Sequence, residues 1–315
     1  MTGYAILQLC PMSDYLEGEL AQRGTVIRWF ELDEAAQVGA LAAQAGEVLV
    51  VVTGGHIGCT NAMIAALPSL RLIAINGVGF DKVDMPFAHG HGVDVSITPG
   101  VLSEDVADLA VGLTIGLLRG LPKADAFVRA GRWSQDAFPL MRKVSGRRFG
   151  IVGLGHIGTA IAQRLAPFGP VAYHGRNRKP VPYTYFESGH ALAADSDVLI
   201  VACAATDETR HLIDAEILDS LGPQGYLVNV ARGSVVDEAA LVAAIKNGRI
   251  AGAALDVLAD EPNVPRALID SENTLLAPHI ASGTVETRTA MANLVLANVD
   301  AALAGRALPT AIARP

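Results

Sequence analysis

Two series of short, continuously apolar runs rich in Val and Ile limit most strongly what this chain can fold into. An unbroken apolar run has no polar face to turn towards water, so both of its faces must be covered. Parallel strands reached through crossover helices meet that need. The first series covers residues 5–10, 25–30, 48–53, 70–76 and 93–98, with helical spacing over 13–22, 34–44 and 60–67. A long helical pattern follows at 103–119, where Ser103, Glu104 and Asp105 read as cap and first turn. After a loop containing Gly, Arg and Trp, the second series covers 148–152, 171–174, 198–203, 226–230, 251–256 and 274–277. A last helix is expected over 284–303, followed by a tail from Pro309 to Pro315.

The 315 residues suit two domains at roughly 150 residues each. The order of the runs predicts an α/β protein of two doubly wound parallel-sheet domains. A Rossmann domain over 98–283 is expected as an insertion in a smaller flavodoxin-like domain made of 1–97 and 284–315. Lys and Arg total 24 against 32 Asp and Glu, a net charge of −8, with no dense basic cluster among aromatics, so no nucleic-acid partner is expected. No apolar run approaches the ~20 residues that span a bilayer, and the first basic residue is Arg23, unlike a secretory signal. Cys10, Cys59 and Cys203 lie far apart without a CxxC pair. They read as small buried hydrophobes in a reducing compartment, and a cytoplasmic protein without membrane contact is expected. His89 and His91 stand between glycines without the partners a zinc site needs; they read as a turn, and no metal is expected.

The sequence Gly153-Leu154-Gly155-His156-Ile157-Gly158 follows a predicted strand directly and opens a predicted helix. In that context GxGxxG is a dinucleotide-binding turn. Gly153 allows the tight turn, Gly155 lets a pyrophosphate approach, and Gly158 lets the helix press on the sheet, while the helix N-terminus offers N–H groups to the anion. At the next strand end, where an acid holding a ribose 2′-hydroxyl is usual, the chain reads Gly175-Arg176-Asn177-Arg178-Lys179. Guanidinium groups pair with a 2′-phosphate, which a carboxylate would repel, so NADP(H) is expected ahead of NAD(H). The other reading is a solvated basic turn.

Three polar residues leave successive strand ends: Arg232, Glu261 and His279. Ligands bind at that edge of an open parallel sheet. The three types form a chemical set, with Arg to grip a carboxylate, His to move a proton and Glu to orient the His. Singly, each has a plain alternative: a helix cap for Arg232, a turn at Glu261-Pro262, a satisfied buried histidine for His279.

Taken together, Asn76-Gly77-Val78-Gly79-Phe80-Asp81, the glycine turn, Asn229-Val230-Ala231-Arg232-Gly233, Ala254-Leu255-Asp256-Val257 with Glu261-Pro262, and Pro278-His279-Ile280 resemble the D-isomer-specific 2-hydroxyacid dehydrogenase family over nearly the whole chain. The 175–178 loop is similar to its NADP-preferring glyoxylate/hydroxypyruvate reductase branch. The resemblance implies NADPH-dependent reduction of small 2-oxo acids, with Arg232, Glu261 and His279 catalytic. It assigns Cys203, Val230, Ala231, Ser282 and Gly283 to the cofactor, and Asp256 to the nicotinamide carboxamide. It also implies a carboxylate grip by the N–H groups of Val78 and Gly79. A surface acid at Asp256 and a helix-capping role for Ser282-Gly283 are alternatives. Trp133 reads either as lining the substrate pocket or as a loop anchor. A homodimer through the cofactor domain is expected from the apolar helix at 103–119. Larger substrates such as phenylpyruvate or hydroxyphenylpyruvate, and a dinucleotide-sensing binding protein on the same scaffold, stay open.

Overall fold

The computed structural model describes residues 4–314, so Pro315 of the expected tail lies outside the described residues. The chain divides into two compact units, Met1–Leu102 with Thr284–Pro315, and Ser103–Gly283. The break comes after Leu102, later than residue 97, because Thr98 donates its N–H to Gly77 O at 2.8 Å and Val101 O accepts from Thr287 Oγ1 at 3.2 Å.

In the first unit, β1 (Ala5–Gln8), β2 (Thr25–Arg28), β3 (Val48–Gly54), β4 (Leu72–Asn76) and β5 (Asp94–Ser96) form a parallel sheet in the order β2-β1-β3-β4-β5. Four helices, α1 (Asp14–Arg23), α2 (Glu34–Gln44), α3 (Asn61–Ala66) and α4 (Met85–Gly90), begin where the sequence supplies a capping oxygen. Ser13, Asp33, Thr60 and Asp84 each accept a backbone N–H of the first turn. Alternate residues of each strand feed separate cores. Leu7, Val51, Ile73 and Val95 face one way; Ile6, Val50, Val52, Leu72 and Ala74 face the other, where Val295, Leu296 and Val299 of the last helix cover them. Burial on both faces is why these runs are continuously apolar.

The second unit opens with α5 (Ser103–Arg119) and α6 (Leu121–Arg129). Then come β6 (Phe149–Val152), α7 (His156–Leu165), β7 (Val171–His174), β8 (Thr184–Phe186), α8 (Gly189–Asp195), β9 (Val198–Val201) and α9 (Ala215–Leu221). The unit ends with β10 (Tyr226–Asn229), α10 (Glu238–Lys246), β11 (Gly252–Leu255), α11 (Arg266–Ile269) and β12 (Thr274–Leu276). All its strands are parallel, in the order β12-β11-β10-β9-β6-β7-β8. This is the doubly wound Rossmann order with one further strand, and its direction reverses where β6 lies between β7 and β9. The chain then returns to the first unit as α12 (Val285–Leu303).

Four sequence readings need correction. Strand β8 is additional: its three residues are at most half-buried and sit at the sheet edge, so they lack the apolar signature of the others. Helix α6 occupies part of the expected loop; only Phe127 of its residues is buried, too little for a periodic pattern. His89 lies within α4, because the Asp84 cap and Pro86 start a helix there, while His91 caps that helix in the turn that follows, its ring stacked on Phe87 at 4.1 Å. Ser103 is itself the first helical residue and does not precede the helix. Among the described residues no helix is long and apolar enough to cross a membrane, and all three cysteines are free.

Candidate active site

The glycine turn sits at the reversal point. Gly153 adopts φ 93° directly after β6, and a Cβ there would stand 2.5 Å from Cys203 Cα, just past β9. Only glycine meets both demands. Around Gly155 the space is open, with nothing within 4 Å of a Cβ position, and no side chain caps α7. The first amides of that helix therefore face an open surface. A Cβ on Gly158 would overlap the Gly153 carbonyl, so helix and turn touch. Leu154 is buried, while His156 is exposed and Ile157 half-buried in the first turn of α7. Burial pushes the Cys203 thiol up to about 11, so the group beside the turn is a neutral thiol at neutral pH.

After β7, Gly175 has room for a side chain, the nearest atom to a Cβ being Leu154 N at 3.9 Å. Its lack of one follows from no backbone constraint. Arg176, Asn177 and Arg178 are exposed, and neither arginine has an ion-pair partner among the described residues. The loop backbone is fastened all the same. Lys179 donates its backbone N–H to Tyr173 Oη at 2.7 Å, Tyr185 Oη donates to Gly175 O at 3.2 Å, and Lys179 Nζ donates to Leu154 O. Sequence reasoning gave no part to Tyr173 or Tyr185, since Tyr185 lies on the unexpected β8.

At the end of β10, the buried Asn229 side chain accepts the Ala231 N–H at 3.0 Å and donates to Arg232 O at 3.0 Å. It pins the short loop that carries Val230, Ala231 and Arg232. A Cβ on Gly233 would overlap the Leu258 carbonyl, so this loop lies directly on the one that leads to Glu261. Glu261 Oε1 accepts the Leu258 N–H at 3.0 Å, and Oε2 lies 2.7 Å from His279 Nδ1. The expected pair is therefore formed, with side chains 26% and 32% exposed, open enough for a ligand to reach. His279 stands at φ 53°, a left-handed conformation that costs a non-glycine residue about 1–2 kcal/mol.

Asp256, just past β11, is no surface acid. It is buried, and its two carboxylate oxygens accept the N–H groups of Ile280 and Ala281. Helix α12 is capped by Thr284, whose hydroxyl accepts from Thr287 N, so Ser282 and Gly283 are not its cap. Trp133 is 73% exposed in a short 3₁₀ turn, while nearby Phe127 packs edge-on against Phe138 under the Arg132 guanidinium. In the first unit, the loop after β4 leaves the N–H groups of Val78 and Gly79 without a backbone acceptor among the described residues.

A parallel-sheet unit with a glycine turn at its reversal point and a His–carboxylate pair at its strand ends is built like a nucleotide-dependent dehydrogenase. The family model for "D-isomer specific 2-hydroxyacid dehydrogenase, NAD binding domain" matches residues 111–281. The chain belongs to the D-isomer-specific 2-hydroxyacid dehydrogenase family. It is 44% identical to a glyoxylate/hydroxypyruvate reductase A of Arabidopsis thaliana, covering 99% of this chain and 100% of the relative. To a hydroxyphenylpyruvate reductase of Plectranthus scutellarioides it is 46% identical over the same shares of both chains. Among solved structures, an NADPH-dependent glyoxylate/hydroxypyruvate reductase from Sinorhizobium meliloti, in complex with NADP and malonate, is 41% identical with a TM-score of 0.92. That match covers 99% of this chain and 97% of the other.

Proposed function

We propose that the protein reduces small 2-oxo acids, glyoxylate and hydroxypyruvate among them, to 2-hydroxy acids with NADPH. The 2.7 Å approach of Glu261 to His279 carries this reading, because it presents a histidine for proton transfer at the ligand-binding edge of the cofactor unit. The open surface at Gly155, the uncapped start of α7 and two exposed arginines without an ion-pair partner among the described residues fit a dinucleotide with a 2′-phosphate.

Held by the glycine turn at Gly153–Gly158 and the 175–179 loop, NADPH would supply the hydride for the keto carbon. His279 gives a proton to the developing alkoxide; with Nδ1 held by Glu261, that transfer falls to Nε2. Arg232 neutralises the substrate carboxylate and polarises the adjacent carbonyl. In the first unit, the N–H groups of Val78 and Gly79 suit a carboxylate oxygen. The 46% identity to a hydroxyphenylpyruvate reductase favours a second reading, with a larger 2-oxo acid as preferred substrate. Mixing the protein with NADPH and a panel of 2-oxo acids, and ranking kcat/KM from the loss of nicotinamide absorbance, decides between them. No turnover of any member would sink both.

A homodimer completes the proposal. The apolar residues of α5, such as Val106, Ala110 and Leu113, are buried, so the expected contact does not rest on them. Leu121, Val128, Trp133 and Leu140 are exposed in the segment that follows. Light scattering should give twice the mass of one chain; a single-chain mass at working concentration counts against it. Three free thiols suit a reducing compartment, and the cytoplasm is the proposed location.

A further inference from the structure

We propose that Asp256 is a positioning residue that sets the aim of His279. This rests on His279 as the proton donor. Three consecutive N–H groups converge on this one buried residue: His279 N donates to Asp256 O at 2.8 Å, Ile280 N to Oδ1 at 2.8 Å and Ala281 N to Oδ2 at 3.0 Å. Successive amides that follow a left-handed residue form a concavity that takes an anion. Here the anion is the protein's own carboxylate, and the left-handed residue is His279 at φ 53°. The charge-assisted bonds hold the peptide in a conformation that His279 would not otherwise keep. Glu261 fixes the ring from one end and Asp256 fixes the backbone from the other. Both carboxylates lie in loops that follow β11, so ring and backbone are set by one stretch of chain.

Asp256→Asn keeps the size of the side chain but replaces one acceptor with an NH₂ group that faces another N–H. The loop then shifts, and a displacement of about 1 Å at a reacting group costs on the order of 10²-fold. We expect kcat for the best 2-oxo acid to fall by about that factor, a larger loss than that in NADPH affinity read by fluorescence titration. In a His279→Gln background the same substitution should add almost nothing, since both act through one ring. An unchanged kcat with weakened NADPH binding overturns the proposal, as does an equal loss of activity in both backgrounds. Should Asp256→Asn fail to fold, amide hydrogen exchange in the parent decides. Ile280 and Ala281 are expected to exchange slowly, and fast exchange of both overturns the proposal. The exchange measurement needs no turnover, so a parent inactive on every 2-oxo acid would refute the functional reading while leaving this one testable.

Discussion

Two strand-end regions of one sheet solve opposite problems. Around His279 each element is tied to another: Asp256 to the 279–281 backbone, Glu261 to the imidazole and to Leu258, Asn229 to the Arg232 loop. Past β7 the backbone is fastened too, yet Arg176 and Arg178 stand in solvent without acidic partners among the described residues. Proton transfer depends on distance and angle, so its groups are fixed before the substrate arrives. Recognition of a phosphate depends chiefly on charge, so exposed cationic heads on an anchored loop suffice. The fixed region should therefore respond to small geometric changes, and the open one to charge and salt.

The contrast breaks most visibly at His279. His279→Gln should lower kcat for 2-oxo acid reduction by roughly 10²–10⁴-fold, the usual worth of general acid catalysis, while NADPH still binds. Single-turnover absorbance gives the first quantity and fluorescence titration the second; near-parental kcat would mean the proton comes from elsewhere. In the open region the effect is smaller and differs in kind. Two charge-assisted contacts at an exposed site support a preference for NADPH over NADH of about 10²-fold in kcat/KM. Arg176→Ala with Arg178→Ala should erase most of it through the KM for NADPH and leave NADH use alone. Rising ionic strength should erode the parental preference in the same direction. If salt and the double substitution leave the cofactor ratio untouched, the loop is only a solvated turn.

Much of this arrangement was legible in the sequence, for a physical reason that also explains the gaps. Strands buried on both faces must be apolar throughout, so β1, β3, β4, β6, β9, β10 and β11 announce themselves within a residue or two at most ends. The less buried β2, β5, β7 and β12 still carry short apolar cores. The glycine turn and the polar residues at strand ends stand out against those runs. Strand β8 and helix α6 bury too little to leave such a mark, and α4 is too short to show a period. The subtler loss is in the supporting residues. Asn229 and Asp256 are visible as polar residues ending apolar runs, but their work is to bind backbone N–H groups, and no spacing in the sequence shows which amides will turn towards them.

The return of α12 to the first unit also bears on how the molecule is made. Ile6, Val50, Val52, Leu72 and Ala74 are covered by Val295, Leu296 and Val299, residues separated from them by the entire second unit. A ribosome therefore releases the first sheet with this face covered only by Leu16 and Leu20 of α1, and it stays so until α12 has been made. The intervening unit is contiguous in the chain and can close its own core in the meantime. For that interval the first sheet stays half-covered, the kind of exposed apolar surface that makes a folding intermediate prone to aggregate.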